Sequence, residues 1–136
     1  MLRYLLDTNI VIYVIKRHPP AAMAQFKQQS SRMAISTITL AELVHGAEKS
    51  AHPAANLAVV EDFCSRLEVL PYKAEAAHHY GAIRSHLERQ GTTIGVNDLH
   101  IAAHARSAGL LVVTNNVREF EQVPALALEN WVANHH

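Results

Sequence analysis

The residues that carry chemistry in this sequence are acids far apart along the chain, each at the edge of a predictable element. Asp7 directly follows the apolar run Leu2 to Leu6. Glu42 lies inside a helical pattern that starts near Ser36, among the apolar residues Leu40, Ala41, Leu43 and Val44. Asp98 falls in the first turn of a helix, after Gly95, Val96 and Asn97. Glu119 comes after Thr114, Asn115 and Asn116, just beyond the last clear apolar run. Each has an ordinary reading. Asp7 can cap the helix that follows it, Glu42 can be solvated at the border of an apolar face, Asp98 can favour the helix dipole, and Glu119 can be a surface acid. Taken together they offer different chemistry. Carboxylates that converge on one point repel one another unless a cation neutralises them. Mg²⁺ and Mn²⁺ prefer such hard oxygen ligands. An ion of this kind lowers the pKa of a water and polarises a phosphodiester oxygen.

The elements that must position these acids read as short apolar strands alternating with longer helices, the pattern of an α/β domain with a mainly parallel central sheet of about five strands. Strands are expected at Leu2 to Leu6, Met33 to Ile35, Glu68 to Leu70 and Leu110 to Val113, with a weaker candidate at Ala125 to Leu128. Helices are expected from Thr8 to just before Pro19, from Pro20 to Gln29, from Ser36 or Thr37 through Ala47, from Pro53 to Leu67, from Ala74 to Gln90 and from Asn97 to Ser107. Gly91 and Gly109 suit the ends of the last two helices. In open α/β sheets, functional groups gather beyond the carboxyl ends of the strands. If the first and fourth strands are neighbours, Asp7 and Asn116 share one crevice.

A chain of 136 residues favours one domain, here 1–132, followed by a tail at 133–136 whose His135 and His136 could be a tag remnant. The 12 basic and 12 acidic residues cancel, so overall charge does not advertise a nucleic-acid binder. Cys64 is the single cysteine and reads as a buried thiol; with no disulfide framework, a cytoplasmic location is expected. No apolar run is long enough for a membrane span. The apolar N-terminus is interrupted by Asp7, Thr8 and Asn9, unlike a signal peptide.

The four acid-bearing segments resemble the motifs of the PIN-domain family, and within it the VapC-type toxin ribonucleases. Tyr4-Leu5-Leu6-Asp7-Thr8-Asn9 resembles the opening motif, and Ser36-Thr37-Ile38-Thr39-Leu40-Ala41-Glu42-Leu43 the second. Gly95-Val96-Asn97-Asp98-Leu99-His100 resembles the third, and Val112-Val113-Thr114-Asn115-Asn116-Val117-Arg118-Glu119-Phe120 the fourth. The resemblance implies an Mg²⁺- or Mn²⁺-dependent endoribonuclease that uses metal-activated water and leaves a 5′-phosphate and a 3′-hydroxyl. It implies that Asp7, Glu42 and Asp98 form the metal site and that Thr114, and Asn9 likewise, orient Asp7. Many members carry Asp where Asn116 stands, which puts a second metal in question; Glu119 is the candidate to replace that charge. The resemblance further implies a VapB-type antitoxin partner, a homodimer, and structured RNA such as a tRNA anticodon stem-loop as substrate. Lys16, Arg17, Arg84, Arg89 and Arg118 are candidate contacts to RNA phosphates, which position the strand without reading sequence.

Other signals carry less. His100 and His104 have the i, i+4 spacing of a zinc helix, but Ile101 stands where that motif needs Glu. They are about 200° or more around the helix from Asp98, and read as packing or surface histidines. His78 and His79 are adjacent and do not chelate. Tyr13, Tyr72, Tyr80 and Trp131 read as core or interface residues. A phosphotransferase with Asp7 as nucleophile would need an acid where Asn9 stands. A catalytically degenerate module that binds RNA or a protein is the remaining alternative, favoured by Asn116.

Overall fold

The apolar runs form one five-stranded sheet in the computed structural model, which describes residues 1–132. The strands are β1 (Tyr4–Leu6), β2 (Met33–Ser36), β3 (Glu68–Leu70), β4 (Leu111–Val113) and β5 (Leu128–Glu129). Their order is β3-β2-β1-β4-β5, and every neighbouring pair is parallel. The helices are α1 (Thr8–Arg17), α2 (Pro20–Gln28), α3 (Thr37–Glu48), α4 (Pro53–Cys64), α5 (Ala74–Gln90), α6 (Val96–Ala108) and the short α7 (Val117–Phe120).

Parallel strands need crossover helices, which cover both faces of the sheet and make its central strands apolar throughout. β1 follows this rule, since all three of its residues are buried. Alternate side chains of a strand point to opposite faces. Tyr4 and Leu6 therefore join Ile10, Val11, Val14, Leu43 and Val60 on one side, while Leu5 joins Ile83, Leu87, Leu99 and Ile101 on the other. Leu5 and Leu6 are wholly buried, and each contributes about 1.5–3 kcal/mol by leaving water. Trp131 closes the first core, edge-on to Tyr4 with ring centroids 4.9 Å apart. α5 stops where Gly91 takes a left-handed φ of 71°, the conformation glycine adopts without a Cβ clash.

The elements follow the sequence expectations with local shifts. β5 occupies Leu128–Glu129 rather than Ala125 to Leu128, because Ala125 takes a positive φ of 61° and belongs to a turn. α4 stops at Cys64, short of Leu67. Cys64 itself is only half-buried, and burial pushes its thiol pKa up. α7 was not expected. Among the described residues, no helix is long and apolar enough to cross a membrane. The tail at 133–136 lies outside the described residues.

Candidate functional site

β1 and β4 pair side by side, with Leu6 opposite Val113, so the residues that follow both strands emerge at the same sheet edge. The Asp7 amide extends this ladder by donating to the Val113 carbonyl at 2.9 Å. Asp7 is wholly buried. Its Oδ2 accepts a 2.9 Å hydrogen bond from the Thr114 hydroxyl, which in turn accepts from the Asn116 amide at 2.8 Å. The amides of Thr8 and Asn9 lie close enough to favour the charge on Asp7, yet the side chain makes no capping hydrogen bond to α1. Oδ1 of Asp7 is buried with no partner among the described residues. Asp7 is therefore not an ordinary helix cap. Burial, opposed by the Thr114 bond and aided by the nearby Glu42 charge, raises its pKa to about 6.

Asp98 enters from the first turn of α6, on the far side of the sequence. Burial, a hydrogen bond shared with Glu119, and the charges of Asp7, Glu119 and Glu42 push its pKa up to about 8. Glu119, on α7, is held below the usual carboxylate range by that bond and by the Gly95 amide. The Gly95 amide donates to Glu119 Oε1 at 3.0 Å, and the Asn116 side-chain amide donates to Oε2 at 3.0 Å. The hydrogen bond between Asp98 and Glu119 thus raises the pKa of Asp98 and lowers that of Glu119. Gly95 is also a close-packing position: a Cβ there would stand 3.4 Å from Asp98 Oδ2.

Glu42 completes the group from α3. Its Oε1 accepts from the Thr8 hydroxyl at 2.6 Å, and its Oε2 accepts from the Asn97 side-chain amide at 2.7 Å. Thr8 Oγ1 also lies 2.9 Å from the hydroxyl of the buried Thr39. With a single hydrogen committed to Glu42, Thr8 accepts from Thr39. The four acids thus meet at one sheet edge from β1, α3, α6 and α7, and three of them raise the pKa of the fourth.

Thr8, Thr39, Gly95 and Asn97 had not been singled out from the sequence. The signal available for Asn97 was its place next to Asp98, and for Thr8 its place next to Asp7. Asn9 is exposed, and it meets Asp7 through its backbone amide rather than as a side-chain partner. Among the described residues, no three His, Cys, Asp or Glu side chains already stand as a coordination cage.

Two open clefts flank the acids. One, of about 590 Å³, is bordered by Thr8, Glu42, Asn97, Lys16 and Lys49. The other, of about 490 Å³, is bordered by Asn116, Glu119, Arg118 and Thr92. Of the five cations expected around the crevice, only Lys16 and Arg118 border these clefts. Arg84 is bound to Tyr80 and Glu88 along α5, Arg89 donates to Ser85, and Arg17 ends α1. The histidines on α6 are packing residues: His100 stacks on Tyr80 and His104 bonds to Ser36.

The chain is similar in sequence and fold to known proteins. The family model of the PIN domain matches residues 4–126. A protein named "Ribonuclease VapC2" from Haemophilus influenzae is 58% identical over 97% of this chain and all of its own length. A "tRNA(fMet)-specific endonuclease VapC" from Salmonella typhimurium is 55% identical over 96% of this chain and 99% of its own. The structure superposes on a chain in the DNA-bound VapBC crystal structure from Salmonella typhimurium with a TM-score of 0.94, at 55% identity over 96% of this chain and 99% of that one. On a chain of VapBC2 from Rickettsia felis, bound to a promoter DNA fragment, the TM-score is 0.91 at 40% identity, over 96% and 99% of the two chains. The chain belongs to the PIN-domain family, and within it to the VapC ribonucleases of VapBC toxin–antitoxin pairs.

Proposed function

We propose that this chain is an Mg²⁺- or Mn²⁺-dependent endoribonuclease toxin that hydrolyses structured RNA, with a tRNA anticodon stem-loop as its substrate class. One observation carries the proposal: a wholly buried carboxylate, Asp7, keeps an oxygen without a partner beside three further acids. An unpaired buried charge is costly, and a divalent cation is the partner that removes the cost. The donor set fits, because every candidate ligand is a carboxylate oxygen and the nearby amides and hydroxyls hold those carboxylates in place. Asp7, Asp98 and Glu42 would hold the cation, with Glu119 beside them. When bound, the cation neutralises the acids, polarises the scissile phosphate and lowers the pKa of water.

The chain's own residues do the rest. Thr114 fixes Asp7 through Oδ2 and leaves Oδ1 free. Thr8 and Asn97 hold both oxygens of Glu42. The Gly95 amide and Asn116 fix Glu119, so Asn116 orients an acid rather than supplying one. Asp98, whose pKa burial and its neighbours raise, would hold a cation in its charged form. Lys16 and Arg118 line the clefts on either side of the acids and attract the RNA backbone from there, so the neutral overall charge is no obstacle.

The tRNA assignment rests on relatives named for tRNA(fMet) at 55% and 53% identity. The partner assignment, a VapB-type antitoxin, rests on similar chains solved as VapBC complexes, while the homodimer is what the family resemblance implies and the cytoplasmic location follows from the single cysteine. The test is cleavage of an RNA panel that includes tRNAs, with Mn²⁺, with EDTA, and with Asp7→Asn. Cleavage of a tRNA with Mn²⁺, and loss of it in the other two cases, is expected. No cleavage of any RNA with Mn²⁺ would favour a binding module whose acidic site has lost its chemistry.

A further inference from the structure

α3 and α6 carry two of the acids, Glu42 and Asp98, and they are joined at two levels. Near the acids, the Asn97 amide reaches Glu42. At the other end, His104 Nδ1 lies 2.8 Å from the hydroxyl of Ser36, the residue that caps α3. Asn97 and His104 are seven residues apart on α6, and Glu42 and Ser36 are six apart on α3. At the α-helical rise these separations are about 10 Å and about 9 Å. The two helices therefore run antiparallel with matched spans, and the two hydrogen bonds close the ends of one frame. Both members of the distant bond are buried.

We infer that the Ser36–His104 hydrogen bond is a positioning device for the acidic site: it sets the offset of α3 against α6, and so the placement of Glu42 relative to Asp98. This rests on the proposed role of those acids. Ser36 Oγ accepts from the Ile38 amide at 3.0 Å, and in the proposed device its one hydrogen goes to His104 Nδ1. His104 is then the tautomer with hydrogen on Nε2, and the residue borders a depression also lined by Lys73, Glu75 and Ser107. Burial holds the ring below its ordinary pKa and keeps it neutral, as an accepting Nδ1 requires. Tyr72 braces the same corner. Its ring meets His104 edge-on, with centroids 5.5 Å apart, and its backbone amide donates to Thr37 at the start of α3. His104 touches no acid of the site, so it acts on them through α6 and through Ser36, where β2 passes into α3.

The test uses His104→Leu, which keeps the bulk and removes the acceptor, and His104→Asn, whose side-chain oxygen can replace Nδ1. Mn²⁺ affinity by electron paramagnetic resonance and steady-state RNA cleavage are measured on variants that remain folded at the assay temperature. His104→Leu is expected to lower Mn²⁺ affinity and kcat about tenfold each, the range seen when groups behind metal ligands are removed, with KM for RNA little changed. His104→Asn is expected to recover most of both. Ring ¹⁵N shifts of the wild-type protein should show a bare, accepting Nδ1. A wild-type-like His104→Leu, an Asn variant no better than Leu, or an Nδ1–H tautomer would overturn the inference. If the wild-type protein neither binds Mn²⁺ nor cleaves RNA, the nuclease proposal fails instead, and the ring shifts still decide whether the bond exists.

Discussion

Replacing Asp7 with Asn should make the metal-free protein more stable while removing its activity. Asp7 titrates near 6 in the folded chain against an ordinary 3.8. The folded state therefore binds the proton more tightly than the unfolded state, and stability falls as pH rises. The contribution is fully present below about pH 3.8 and is lost as pH passes through 6. Above that window the difference amounts to about 3 kcal/mol against folding. Asn keeps the shape, and its Oδ1 can still accept from Thr114, but it carries no charge to bury. Its amide must find a partner, so 3 kcal/mol is an upper bound. For a domain of this size it corresponds to roughly 10 °C in Tm. The assay is thermal unfolding in EDTA from pH 5 to pH 8.5. Wild-type Tm should fall across the range, and Asp7→Asn should flatten the slope and unfold at higher temperature at pH 8. Mg²⁺ should restore the wild-type protein at pH 8 and leave Asp7→Asn unmoved. Equal or lower stability of Asp7→Asn at pH 8 in EDTA would refute the view that a buried, uncompensated carboxylate lies at the centre of the site.

Further outcomes follow from the same geometry. Because a cation and a proton compete for Asp98, whose pKa is raised to about 8, cleavage at low Mn²⁺ should rise with pH toward about 8, and higher Mn²⁺ should move the midpoint to lower pH; a midpoint indifferent to Mn²⁺ would count against this. Thr114→Val removes the bond to Asp7 and should cost about 1–3 kcal/mol in stability and about 10- to 100-fold in activity, with Thr114→Ser restoring both in unfolding and cleavage assays. Lys16→Ala and Arg118→Ala should raise KM for RNA and flatten its dependence on salt, whereas Arg89→Ala, bound to Ser85 away from the two flanking clefts, should change neither in the same titration.

The order of elements was legible because hydrophobic period and length separate short buried strands from helices, and because Gly91 and Gly109 mark helix ends. The register of β5 was not, since a left-handed Ala125 leaves no mark in the composition. α7 was missed because a four-residue helix holds no full hydrophobic period. In the site, the acids were legible as strand-end and helix-start residues within motif-like segments. Thr8, Thr39, Asn97 and Gly95 were not, because each acts on a residue distant in sequence: Thr8 on Thr39 across 31 positions, Asn97 on Glu42 across 55. Such pairings exist only once the sheet order is known. Which of the five candidate cations border the clefts was not legible either, for a related reason. Which way Arg84 and Arg89 point depends on the phase of α5 against α6, which local pattern does not specify.

The most direct measurement is a Mn²⁺ titration followed by electron paramagnetic resonance, on the wild-type protein and on Asp7→Asn at pH 8. Saturable binding to the wild-type chain, lost in Asp7→Asn while the fold persists, is the predicted result. Wild-type protein that leaves Mn²⁺ free in solution, or an Asp7→Asn variant that binds it equally well, would contradict the assignment of these acids to a divalent ion.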